Sequence, residues 1–235
     1  MEFPGENPRW GWPHILLIPL AVMGLQALTA GYGSDLFAYL VYLGAAPSGW
    51  VASFVINYVV YFFIFFAAIG VVLLMTRSGF AQVGFRAGRI KSVLAWGVGG
   101  GLGLLGIVIA VGVIVQFFVP ELEPQPFETA IREIVNMGDL VALLVLGSVL
   151  APLVEEVFFR GMVYPVIRKQ LGVTWGIVFA GLFFGMLHWD LWRMIPLALG
   201  GMGLTYIYER TGNIYAPWLA HGVWNGVMAL IVYLG

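Results

Sequence analysis

Residues 50–76 read WVASFVINYVVYFFIFFAAIGVVLLMT, with no Asp, Glu, Lys or Arg. A run of roughly 17–25 apolar residues is long enough to cross the hydrocarbon core of a bilayer as a helix. Similar apolar stretches lie at 14–31, 92–119, 139–168, 172–189, 194–209 and 214–234. Across all 235 residues, 61% are hydrophobic and only 10% charged, with a mean hydropathy of +0.94. Soluble domains carry about 45–50% apolar and 25% charged residues. The expected fold is an all-α, polytopic transmembrane helix bundle of about seven to eight spans. It forms a single membrane domain over 1–235, with the lipid bilayer as its surroundings. LFAYLVYLGAA, residues 36–46, is too short to span upright and is expected to be a separate interfacial helix.

The net charge of −1 argues against nucleic acid as a partner, and with no cysteine there is no disulfide or thiolate site. The N-terminus MEFPGENPRWGWPH reads as a retained tail, since it has neither a Lys-rich start nor a small-residue cleavage site. Arg77, Arg86, Arg89 and Lys91 share one short loop, and Arg168 and Lys169 another. Basic loops favour the cytoplasm. That places the acidic segment 120–139 outside and the N-terminus inside, with Arg193 breaking the pattern. The expected location is the plasma membrane, multi-pass. The third span carries GVGGGLGLLG at 97–106. With no Lys-Ser/Thr following, it reads as a small-residue packing face and not a phosphate loop.

Charge inside a span costs roughly 2.5–3.5 kcal/mol per residue on insertion scales. The ionisable and amide groups well inside these spans are Glu155, Glu156, Arg160, His188, His221 and Asn225, all in the last hundred residues. Residues 1–138 read as scaffold and 139–235 as the part that carries chemistry. Glu156 and Arg160 are spaced i,i+4 and can pair on one helix face. Glu155 is rotated about 100° away and faces a different neighbour. His221 and Asn225 share a face, as do Phe184 and His188. Taken singly, a Glu–Arg pair can be a neutral interface, a histidine near a helix end an interfacial residue, and an intramembrane Asn interhelical glue. Together they are an inventory for activating water and stabilising an oxyanion. Other intramembrane chemistries lack their signatures: Ser148 is not in GxSG, Asp139 and Asp190 lie at span ends outside GxGD, and no HExxH occurs.

EEVFFR (155–160), FGMLH (184–188) and HGVWN (221–225) resemble the EExxxR, FxxxH and HxxxN motifs of one family. This is the CAAX-protease and bacteriocin-processing (Abi) family of intramembrane endopeptidases, whose eukaryotic members include the Ras-converting prenyl-protein endopeptidase. The resemblance covers roughly 139–235. It implies that Glu155, with His188, activates the attacking water. His221 and Asn225 would hold the oxyanion, and Glu156 and Arg160 would support the motif helix. It further implies a peptide or membrane-protein substrate. The compact chain is expected to be prokaryotic, acting on leader peptides, membrane-protein tails or signalling peptides. No cofactor is expected, although zinc on Glu155, His188 and His221 is an alternative that this family's metallopeptidase label raises. The rival reading from another class is a non-catalytic membrane protein: an immunity or scaffold factor, or a small proton-coupled transporter using Glu155 and Glu156. Two geometric expectations accompany these readings. Pro152, just before the glutamates, should start or kink the motif helix. With straight, full-length spans, His188 and His221 would differ in depth by about 15 Å.

Overall fold

The computed structural model describes residues 3–43 and 49–235, without the side chains of 28–37 and 40. Among the described residues all regular structure is helical. Helix α1 is Trp12–Tyr42 and α2 is Trp50–Met75. Helix α3 runs over Ile90–Phe118, α4 is Pro126–Arg132, and a continuous helical stretch follows over Met137–Met186. Gly172 (φ +77°, ψ 179°) folds that stretch back on itself, giving α5 (137–171) and α6 (173–186). Positive φ costs glycine little and other residues more, so the hinge falls on the residue that suits it. Helices α7 (Met194–Thr211) and α8 (Tyr215–Leu234) complete the chain. The α2, α3, α5–α6 and α8 stretches are long and apolar enough to cross a membrane. The fold is an all-α membrane helix bundle.

Two local expectations change. Residues 36–42 are not a separate interfacial helix: they are the last turns of α1, while 44–46 lie outside the described residues. The motif helix is also unbroken at Pro152. A π-helical stretch, Leu146–Leu150, precedes the proline and spreads the missing hydrogen bond over a widened turn. The carbonyls loosened there find donors on α8: Asn225 Nδ2 donates to Gly147 O at 3.0 Å and Trp218 Nε1 to Val149 O at 2.9 Å. The proline therefore docks one helix onto another.

Small residues set the helix spacing. On α3, Gly101 abuts Ala220 and Val223 of α8, and Gly100 abuts Ile207 of α7. On α6, Gly181 and Gly185 abut Ala198, near the start of α7. Close backbone approach of this kind is how helices associate in lipid, where burial of apolar surface gives little drive.

One end of the bundle gathers the N-terminal segment and both basic loops. Arg9 donates to Arg77 O, Trp10 Nε1 to Met162 O, and Asn213 Nδ2 to Arg86 O. Phe3 lies under the Arg168 guanidinium, which holds Glu209 through two 3.0 Å hydrogen bonds. At the opposite end Arg193 pairs with Asp190 at 2.6 Å and donates to Glu123 O. The charge of Arg193, out of place by loop counting, is thus locally neutralised.

Asp190 also accepts the backbone N–H groups of Trp192 and Arg193, capping the approach to α7. Partial burial pushes its carboxyl upward, but the Arg193 hydrogen bonds and charge outweigh this and hold it below the usual range. Its stabilising contribution is therefore complete above the unfolded carboxyl pKa and lost as pH falls through the lowered folded value. Thermal unfolding from neutral to strongly acid pH should show an acid-side loss of stability that Asp190→Asn reduces. An unchanged acid profile in that variant would disprove the linkage.

Candidate active site

The charged residues of α5 sit where the fold brings three other helices together. Glu156 and Arg160 are both fully buried and joined at 2.8 Å, as their spacing predicts. Arg160 also donates to Gly201 O on α7 at 2.9 Å, the carbonyl that accepts from Thr205 Oγ1 as well. Burying one charge alone would be costly, so the ion pair and its extra hydrogen bonds are what make the position tenable.

Glu156 has a second partner that its spacing does not reveal. Its Oε1 lies 2.8 Å from His221 Nδ1. An ionised carboxylate only accepts, so Nδ1 carries a proton and Nε2 is turned to the other side of the ring. There Nε2 lies 3.9 Å from Glu155 Oε2. The two adjacent carboxylates thus bracket one imidazole, Glu156 fixing it and Glu155 facing it. They differ in surroundings as well: Glu156 is sealed, while the Glu155 side chain is 29% exposed.

His188 reaches the same region because α6 is short. Hinged at Gly172, α5 and α6 form an antiparallel hairpin in which Phe159 of α5 meets Phe184 of α6 at 5.0 Å. Helix α6 stops at Met186, two residues before His188, and the Phe159–Phe184 contact sets that end beside the part of α5 that precedes Phe159. His188 Nδ1 lies 2.9 Å from Phe184 O, which can only accept, leaving Nε2 with a free lone pair. Both imidazoles border the Phe184 ring, at 4.8 Å for His188 and 5.7 Å for His221. The large difference in depth expected for straight spans does not arise.

Phe184 is the residue whose importance the sequence hid. Its ring contacts both histidines and lies 4.8 Å from the Arg160 guanidinium. Its place in FxxxH was visible, but not its central position. Trp224 stacks on His221 at 5.4 Å and packs against Gly200. Asn225 stands one turn beyond His221 with one amide hydrogen engaged by Gly147 O. That contact is the interhelical glue weighed for it above, and its second hydrogen and its carbonyl oxygen have other directions available.

Glu155, His188 and His221 would be the donors for zinc. Among the described residues no three or more His, Cys, Asp or Glu side chains are gathered closely enough to hold a metal ion. Asn225 is a poor zinc ligand. Among the described residues the arrangement does not fit a preformed zinc site.

Fold and cluster together define a membrane helix bundle with a carboxylate–imidazole site embedded at its centre. Residues 137–227 match the family model described as Rce1-like, Type II CAAX prenyl endopeptidase. The segment carries all three motifs. The chain is also similar to a Bacillus subtilis (strain 168) protein named "Putative membrane peptidase YdiL", with 23% identity over 89 residues. That match covers 38% of this chain and 36% of the relative's own length. No solved structure matches the chain.

Proposed function

We propose that this protein is an intramembrane endopeptidase that hydrolyses a peptide bond of a membrane-associated substrate with a water molecule activated by Glu155 and His188. The observation that carries the reading is the bracketing of His221: Glu156, neutralised by Arg160, holds Nδ1, and Glu155 faces Nε2 at 3.9 Å. A carboxylate with no structural partner, beside an imidazole whose orientation is fixed, has the form of a general base and its electrophilic neighbour.

In the reaction, water attacks the carbonyl carbon of the scissile peptide bond while Glu155 takes its proton. The lone pair on His188 Nε2 orients the same water. The carbonyl oxygen becomes an oxyanion, for which His221 Nε2–H and the second Asn225 amide hydrogen are the donors in this reading. Because Nδ1 donates to Glu156, His221 donates from Nε2 only as the imidazolium. When the C–N bond breaks, the proton on Glu155 passes to the leaving amine, giving one carboxylate and one amine terminus and restoring the base.

The family supports a peptide substrate, and the bacterial relative supports a bacterial setting. The gathering of the N-terminal segment and both basic loops at one end supports a multi-pass topology in the plasma membrane with that end cytoplasmic. The test is cleavage of a farnesylated CAAX peptide, and of unmodified peptide libraries, by purified protein in lipid vesicles, with products sequenced by mass spectrometry. Cleavage at one defined bond, undiminished by strong chelators, is the expected result. Failure to cut any peptide would overturn the proposal, and loss of cutting on chelation with recovery on zinc would overturn the metal-free mechanism.

A further inference from the structure

The segment that carries the three motifs ends at its own boundaries, but the site does not. Helix α2, from the half of the chain expected to be scaffold, lies parallel to α5. Two aromatic contacts fix its register. Phe65 meets Phe158 edge-on at 5.2 Å. One end of α2 is held through Phe54, 6.5 Å from the Phe127 ring, which itself fills the notch over Gly147. Phe54 to Phe65 and Gly147 to Phe158 are the same separation along the chain, so the two helices keep pace. Tyr61 stands one turn before Phe65, and Glu155 about one turn before Phe158, which brings the phenol level with the carboxylate.

The ring of Tyr61 is fixed by its neighbours, with Phe62 at 5.4 Å and Phe65 at 5.9 Å. Its hydroxyl is near enough to Glu155 for the carboxylate's charge to act on it. Yet among the described residues neither the Tyr61 hydroxyl nor the Glu155 carboxylate makes a hydrogen bond. A phenol in an apolar span normally finds a partner. Here a donor and an acceptor, both only partly buried, stand at one level on neighbouring helices without a partner among the described residues. An extended peptide has the matching inventory, since each residue offers a carbonyl that accepts and an amide that donates.

We propose that Tyr61 is a substrate-binding residue of the site, its O–H donating a hydrogen bond to a backbone carbonyl of the peptide whose scissile bond lies at Glu155. This rests on the endopeptidase reading and adds to it a residue from outside the matched segment. The first half of the chain then supplies a wall of the site as well as a frame. Through its packing on Phe158, Phe65 is the residue that sets the height of that wall.

Tyr61→Phe removes only the hydroxyl and keeps the ring contacts. One hydrogen bond predicts a fall in kcat/KM of about 3- to 10-fold, expressed in KM, with the melting temperature unchanged. A second measurement does not need turnover: binding of the same farnesylated CAAX peptide to Glu155→Gln protein, followed by fluorescence polarisation, should weaken by a similar factor when Tyr61→Phe is added. Tyr58→Phe, one turn away, serves as the comparison and should leave both quantities unchanged. Wild-type kcat/KM and Kd in Tyr61→Phe, or equal losses in Tyr58→Phe, would refute the role. Persistent cleavage by Glu155→Gln would instead refute the assignment of the base, and the binding measurement would still decide on Tyr61.

Discussion

Glu155→Gln should fold and bind normally and cleave about 10²- to 10⁴-fold more slowly, the range that loss of a positioned general base produces. The asymmetry between the two adjacent glutamates makes this informative. Glu155 makes no hydrogen bond among the described residues and is partly exposed, so an isosteric amide removes a base and leaves packing as it was. Glu156 is sealed, and its Oε1 meets both Arg160 and His221 at 2.8 Å. Glu156→Gln should therefore lower stability together with activity. Turnover and thermal unfolding measured on both variants separate the roles. Wild-type turnover by Glu155→Gln would remove the proposed mechanism, and an intact, fully active Glu156→Gln would remove its supporting role.

Arg160→Met should be the most destabilising single change in the bundle, at about 3–5 kcal/mol, because it leaves a buried carboxylate without its counter-charge. Arg160 also links α5 to α7 through Gly201 O and lies against Phe184, so the loss extends to the wall beside the histidines. Lysine is a poor replacement, since one ammonium cannot reproduce the fork that meets Glu156 and Gly201 from different nitrogens. The pair Glu156→Gln with Arg160→Met should regain much of the stability without regaining activity, because His221 would still lack its ionised partner. Equilibrium unfolding in mixed detergent micelles measures the change. A single Arg160→Met variant as stable as wild type would show that Glu156 is not held ionised by this pairing.

The helices were legible in the sequence because lipid demands long apolar runs and the chain supplies them with turn-forming interruptions. The Glu156–Arg160 pair was legible for a different reason: helical spacing alone puts those residues on one face. What a linear reading lacked were the relations between helices. Asn225 and Trp218 dock onto the carbonyls loosened ahead of Pro152, so a residue expected to start or kink the helix joins it to α8. His188 seemed too far from His221 only when α6 was drawn as a full-length span, and its hinge at Gly172 and its end at Met186 bring the histidine to the Phe184 ring that also borders His221. Phe184 and Tyr61 gave no sign of their placement, since an aromatic residue in an apolar run looks the same facing lipid or facing a site.

The π-helical stretches, described above for 146–150 and present again at Val157–Val163, bear on chain length. Each holds about one residue more than an α-helix would need for the same rise. A helix carrying such a surplus can absorb the loss of a residue without unravelling. The widened turn takes up the rotation of that extra residue as well as its rise. Deleting one residue within 146–150 should therefore close the turn to an α-helical one and leave Glu155 near its present direction, whereas deletion in an α-helical turn rotates everything beyond it by about 100°. The widened turns are where α5 tolerates a change of length.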